Sequence, residues 1–92
     1  MIDQTRAILQ RSVVFIDDYR NGNISLGRLV SALEGSVNAL EEQLPQEFYN
    51  SWYGHWGNLE TALALGIEKT NKKEILEELY ELEKNIRQHI QA

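Results

Sequence analysis

The sequence has no cysteine and a single proline, Pro45, in 92 residues. Without thiols there are neither disulfides nor thiolate metal sites, so packing alone has to supply the net stability, about 5 kcal/mol for a small domain. A run of about 18 apolar residues, enough to span a bilayer as a helix, is also missing. The opening Met1-Ile2-Asp3-Gln4-Thr5-Arg6 has neither the basic start nor the apolar stretch of a signal peptide, which makes a cytoplasmic protein with no membrane association the expectation. Positive charge is scarce: nine Lys and Arg stand against 14 Asp and Glu, a formal net charge of -5. Phosphate backbones are bound by clustered Lys and Arg, so nucleic acid is not the expected partner, and a basic protein surface fits better. The scarcity is sharpest in the middle of the chain. From Leu29 to Glu68 no Lys or Arg occurs, while Glu34, Glu41, Glu42, Glu47, Glu60 and Glu68 all fall there. A surface that only solvates usually mixes both signs, as the last part does with Lys69, Lys72, Lys73, Lys84 and Arg87 among its glutamates.

What the sequence does have is helical periodicity. At 42% hydrophobic and 25% charged residues it belongs with folded globular proteins, and a chain this short wraps one core, a single domain over residues 1–92. Residues 3–21 read as a first helix, with Asp3 as its cap, Ile8, Leu9, Phe15, Ile16 and Tyr19 at helical spacing, and Asn21-Gly22 as its stop. A second helix is predicted over 26–44. Ser25 stands at the cap position, Ile24 is placed to staple onto Leu29, and Leu26, Val30, Leu33, Val37, Leu40 and Leu44 step by four and three along one stripe. Pro45 is the stop signal. A third helix over 46–65 lines up Phe48, Trp52, Trp56, Leu59 and Leu63. Gly54 and Gly57 inside it each cost roughly 1 kcal/mol relative to Ala, which predicts a kink or the close approach of another helix. The fourth, over 72–91, starts from an Asn71 and Glu74 capping pair and carries the stripe Ile75, Leu79, Leu82, Ile86 and Ile90, with Lys73–Glu77 and Glu83–Arg87 pairs on its exposed side. Four such helices joined by short loops predict an all-α fold, an antiparallel up-down four-helix bundle. A hairpin of the second and third helices that dimerises would use the same stripes.

Chemistry-bearing patterns are few. Asp17-Asp18 and the glutamates of the last helix invite a search for the Glu-x-x-His pairs of di-metal bundles, but neither His55 nor His89 has an acidic residue three or four positions away. Gly35-Ser36 lacks the flanking glycines of a nucleophile elbow. No catalytic, cofactor-binding or metal-binding residues are assigned, and an enzyme is not expected. The densest feature is Phe48, Tyr49, Trp52, Tyr53, His55 and Trp56. Phe48, Trp52 and Trp56 share the apolar stripe with Leu59, whereas Tyr49, Tyr53 and Glu60 fall on a neighbouring flank and should be at least half exposed. Tyrosine offers a broad apolar ring with a polar tip, so this flank beside an acidic helix reads as a contact surface.

The segment Phe15-Ile16-Asp17-Asp18-Tyr19-Arg20-Asn21-Gly22-Asn23-Ile24-Ser25-Leu26 resembles small all-helical bacterial immunity proteins, of the colicin D immunity type and of contact-dependent growth inhibition systems. In that group a helix ending in an aromatic residue, a short glycine-containing turn and an Ile-Ser helix start recur near the N-terminus. The resemblance implies a cytoplasmic protein that binds and blocks a co-produced toxin, often a nuclease whose basic active site is covered by acidic residues. The matching segment itself holds none of the contact residues. The leading expectation is therefore an acidic inhibitor that presents Glu34, Glu41, Glu42, Tyr49, Tyr53 and Glu60 to a toxin with a basic surface. The alternative is a structural or adaptor protein working as a helical homodimer, suggested by the regular stripe of the second helix.

Overall fold

Ser25 does what its place before the second stripe predicts: its hydroxyl accepts a hydrogen bond from the Arg28 backbone N–H at 3.1 Å and opens a helix. In the computed structural model, which describes residues 3–91, four helices follow one another: α1 (Asp3–Arg20), α2 (Leu26–Ala39), α3 (Gln46–Leu65) and α4 (Lys72–Gln91). No strand is present among the described residues. Among them α1 packs on α2 and α4, and α3 packs on α2 and α4, while the backbones of the diagonal pairs stay further apart. That closed ring of neighbours makes a four-helix bundle. Among the described residues no helix is long and apolar enough to cross a membrane.

The stripes close on one another as their spacing demands. Leu9, Val13, Ile16 and Tyr19 of α1, Leu26, Leu29, Val30, Leu33 and Val37 of α2, Phe48, Trp52, Leu59 and Ala62 of α3, and Ile75, Leu79, Leu82 and Ile86 of α4 are buried in one cluster. Each such aliphatic or aromatic side chain withdrawn from water is worth about 1.5–3 kcal/mol before conformational entropy is set against it. Ile8 and Phe15 are only partly buried and edge the core from outside, as do Leu44 and Ile90. Asp3 lies inside the first turn of α1 rather than ahead of it, so it does not hold the cap position expected for it.

Three differences from the sequence reading have physical causes. First, α2 stops at Ala39 and not at residue 44, because Glu41 and Glu42 take positive φ angles of 50° and 60° and leave the helical path before Pro45 is reached. Second, Leu63 is 41% exposed although it stands on the expected stripe; its methyls lie over Gly27, which has no side chain to cover them, and Ala62 takes the inward position. Third, α3 runs unbroken from Gln46 to Leu65, and a methyl group at Gly54 or Gly57 would meet no neighbouring group within 4 Å. Among the described residues no other helix therefore approaches those glycines.

Candidate protein-binding surface

Three connections join the four helices, and left-handed backbone occurs in each of them. After α1 the residue is Gly22, at φ 78°, and after α3 it is Gly66, at φ 67°. Glycine is the default there because it has no Cβ to clash. The connection between α2 and α3 instead uses two consecutive glutamates. Holding Glu41 and Glu42 in that region costs on the order of 1 kcal/mol or more each. The turn is closed by the Gln43 N–H, which donates to the Leu40 carbonyl at 3.0 Å. Its outcome is a pair of exposed carboxylates at the end of the bundle, next to the first turn of α3.

That first turn brings Tyr49 back under the loop. Its hydroxyl accepts the Leu44 N–H at 3.4 Å, and its ring meets Phe48 edge-on at 5.2 Å. Tyr49 is consequently 8% exposed, which corrects the expectation that it would be half exposed. The error lies in treating α3 as having one seam: a helix packed against two neighbours buries a wider arc, and at its start the α2–α3 turn covers the flank on which Tyr49 sits. One turn later the cover ends. Tyr53 is 48% exposed, in line with the expectation, and is held edge-on against Trp52 at 4.9 Å and Trp56 at 6.3 Å. The two indoles stack at 5.7 Å, and the Trp56 Nε1–H donates to the Val30 carbonyl at 3.0 Å, pinning α3 to α2. Trp56 is thus half-buried rather than a full member of the core.

Between these parts lies a depression of roughly 460 Å³, lined by Val37, Asn38, Glu41, Glu42, Gln46, Tyr49 and Tyr53. Four of the six residues singled out from the sequence, Glu41, Glu42, Tyr49 and Tyr53, meet in it. Glu34 and Glu60 do not line it; each is exposed, one and two turns further along the same flanks of α2 and α3. None of the four glutamates has an ion-pair partner among the described residues. The region offers negative charge that no ion pair among the described residues neutralises, an exposed aromatic ring backed by two indoles, and amide groups of Asn38 and Gln46 that both donate and accept. Those are the ingredients of a contact surface for a cationic protein partner.

The remaining polar clusters join helices and were not visible in the spacing. The Tyr19 hydroxyl donates to Glu68 and accepts from the Lys72 ammonium, both at 2.7 Å, and the same ammonium stands 4.2 Å from the Tyr19 ring centroid. Burial of the phenol, aided by Glu68, raises the Tyr19 pKa, and the hydrogen bond to Tyr19 raises that of Lys72. Glu83 is gripped by Arg20 and by Arg87, the latter at 2.6 Å; burial works to raise its pKa, but the two guanidinium hydrogen bonds prevail and lower it. The Glu83–Arg87 pair follows the four-residue spacing, whereas no Lys73–Glu77 pair forms among the described residues. His55 donates from Nδ1 to Glu78 at 2.7 Å, since a carboxylate can only accept, and Asn58 donates to the other oxygen at 2.9 Å. His89 donates to the Asn85 carbonyl at 2.9 Å and lies edge-on to Phe48. Among the described residues no three His, Asp or Glu side chains gather as metal ligands would.

The chain was compared with family models, with curated proteins and with solved structures, and none of them matches it.

Proposed function

We propose that this chain is an antiparallel up-down bundle acting as a protein-binding module of the immunity type, which uses the α2–α3 end to cover a basic surface of a cognate toxin and block it. The antiparallel course is supported by the pairing of residues across helices: Trp56 with Val30 and Tyr49 beside Val37 for α2 and α3, and Phe48 with His89 and Asn58 with Glu78 for α3 and α4. The binding reading rests on one observation above the rest. Where the other two reversals place glycine, this one places Glu41 and Glu42, so stability is given up to keep two unpaired carboxylates beside Tyr53. Strain kept against the interest of the fold is a mark of functional sites. In the proposed complex the carboxylates speed encounter and orient the partner, and the Tyr53 ring, already fixed by Trp52 and Trp56, supplies apolar area with little entropy left to lose.

The homodimer alternative loses its original motive, because Leu26, Val30, Leu33 and Val37 are all occupied inside the chain's own core. The binding reading is tested on the C-terminal domain encoded by the gene immediately upstream, purified and titrated calorimetrically with this protein. Binding that weakens at least about tenfold in the Glu41→Lys/Glu42→Lys variant, with the helical melt preserved, supports the reading. Affinity indifferent to that double charge reversal removes the assigned surface, and a domain that neither binds nor is toxic removes the inhibitor.

A further inference from the structure

We propose that the groove between α1 and α2 receives the outer face of α4 from a second copy of this chain, giving head-to-tail self-association. This inference does not rest on the preceding one. The groove has a volume of roughly 360 Å³; Ile8 and Phe15 wall it from α1, Ala32, Gly35 and Ala39 floor it from α2, and Arg11 stands at its rim. The glycine is the telling element. Gly35 sits inside α2, where glycine costs about 1 kcal/mol relative to alanine, and a methyl group there would meet nothing within 4 Å. Neither backbone conformation nor close packing within the chain calls for it, whereas a side chain arriving from outside would need the room.

The chemistry of the groove selects what arrives. No carboxylate lines it, although the molecule as a whole carries -5, and Arg11 has no ion-pair partner among the described residues. The outer face of α4 is its counterpart. Leu76 and Tyr80, one turn apart, are exposed there, Tyr80 to 62%, in a shallow depression also lined by four glutamates, Glu77 and Glu81 among them, and one lysine. An apolar pair four residues apart is the ridge that helix-in-groove docking uses. Its span of about 6 Å fits within the roughly 10 Å of α2 from Ala32 to Ala39. Net negative charge around the ridge meets the cationic rim of the groove. Because ridge and groove lie on different faces, a pair of copies keeps one ridge and one groove free, so the contact is heterologous and can continue. Glu41, Glu42 and Tyr53 take no part and stay open to another partner.

Sedimentation equilibrium of the full chain, run at low salt up to about 1 mM, is the test. The apparent mass is expected to climb above the 10.6 kDa of one chain with rising concentration and to fall back with added salt. Gly35→Gln fills the groove and Tyr80→Ala removes the ridge; both positions are exposed, and circular dichroism verifies that each variant keeps its helices. Each variant alone should remain at 10.6 kDa, while an equimolar mixture, in which one supplies the ridge and the other the groove, should stop at twice that value. A wild-type chain that stays at the mass of one copy, association that persists in Gly35→Gln, or a mixture that forms no pair overturns the proposal.

Discussion

Replacing both Glu41 and Glu42 with glycine is expected to stabilise the protein and at the same time to weaken the proposed site. A non-glycine residue in the left-handed region costs about 1–2 kcal/mol, which glycine removes. Against this, glycine adds freedom to the unfolded chain and returns roughly 0.5–1 kcal/mol of that gain. The difference is about 0.5–1 kcal/mol per position, or on the order of 1–2 kcal/mol for the pair, with no ion pair lost because neither carboxylate has one among the described residues. For a domain of this size that corresponds to a rise in Tm of about 5–10 °C. A thermal melt followed by circular dichroism reads it directly. The converse change at Gly66, φ 67°, to alanine should lower Tm by a comparable step and serves as the control. If the double glycine variant melts at or below the wild-type temperature, the turn is not strained and the argument that charge is held there at a cost to the fold collapses.

Three further outcomes concern the helices and the polar groups that join them. Gly54→Ala and Gly57→Ala should each stabilise by about 0.5–1 kcal/mol in urea titrations, since the added methyls meet nothing; a destabilised variant would mean that some neighbour does approach them. Acid stability should depend on Glu83: its pKa is lowered on folding, so its contribution is complete above 4.5 and is lost as pH falls through the folded value, and Glu83→Gln should flatten that limb. The opposite limb belongs to Tyr19 and Lys72, both raised on folding from 10.0 and 10.5, whose contributions are present below those values and lost as pH rises through the folded ones. A urea midpoint for Glu83→Gln that tracks the wild type at every acid pH would count against the Arg20–Glu83–Arg87 linkage.

Features set by near neighbours in the chain were legible in advance. Ser25 caps α2 because a hydroxyl three residues from an N–H can reach it, and Leu26, Val30, Leu33 and Val37 are inside because their spacing leaves no other face for them. What depends on a second helix was not. Tyr49 is buried by a turn that no wheel of α3 contains, and Leu63 is uncovered because Gly27, 36 positions earlier, has nothing to lay over it. His55 finds its carboxylate 23 residues away, where no spacing rule looks. The early end of α2 was hidden for a different reason: Pro45 is the stronger stop signal, and two glutamates in left-handed backbone run against local preference. For the candidate site, the acidic stretch and Tyr53 were readable as composition, but their meeting in one depression was not.

The stacked indoles under Tyr53 have a practical consequence. Trp52 and Trp56 are the only tryptophans in the chain, so all of its indole fluorescence arises from a pair that lies one ring beneath Tyr53. A molecule settling on Tyr53 would alter the polarity around that pair and shift its emission. The protein thus comes with an unlabelled optical gauge of occupancy at its α2–α3 end.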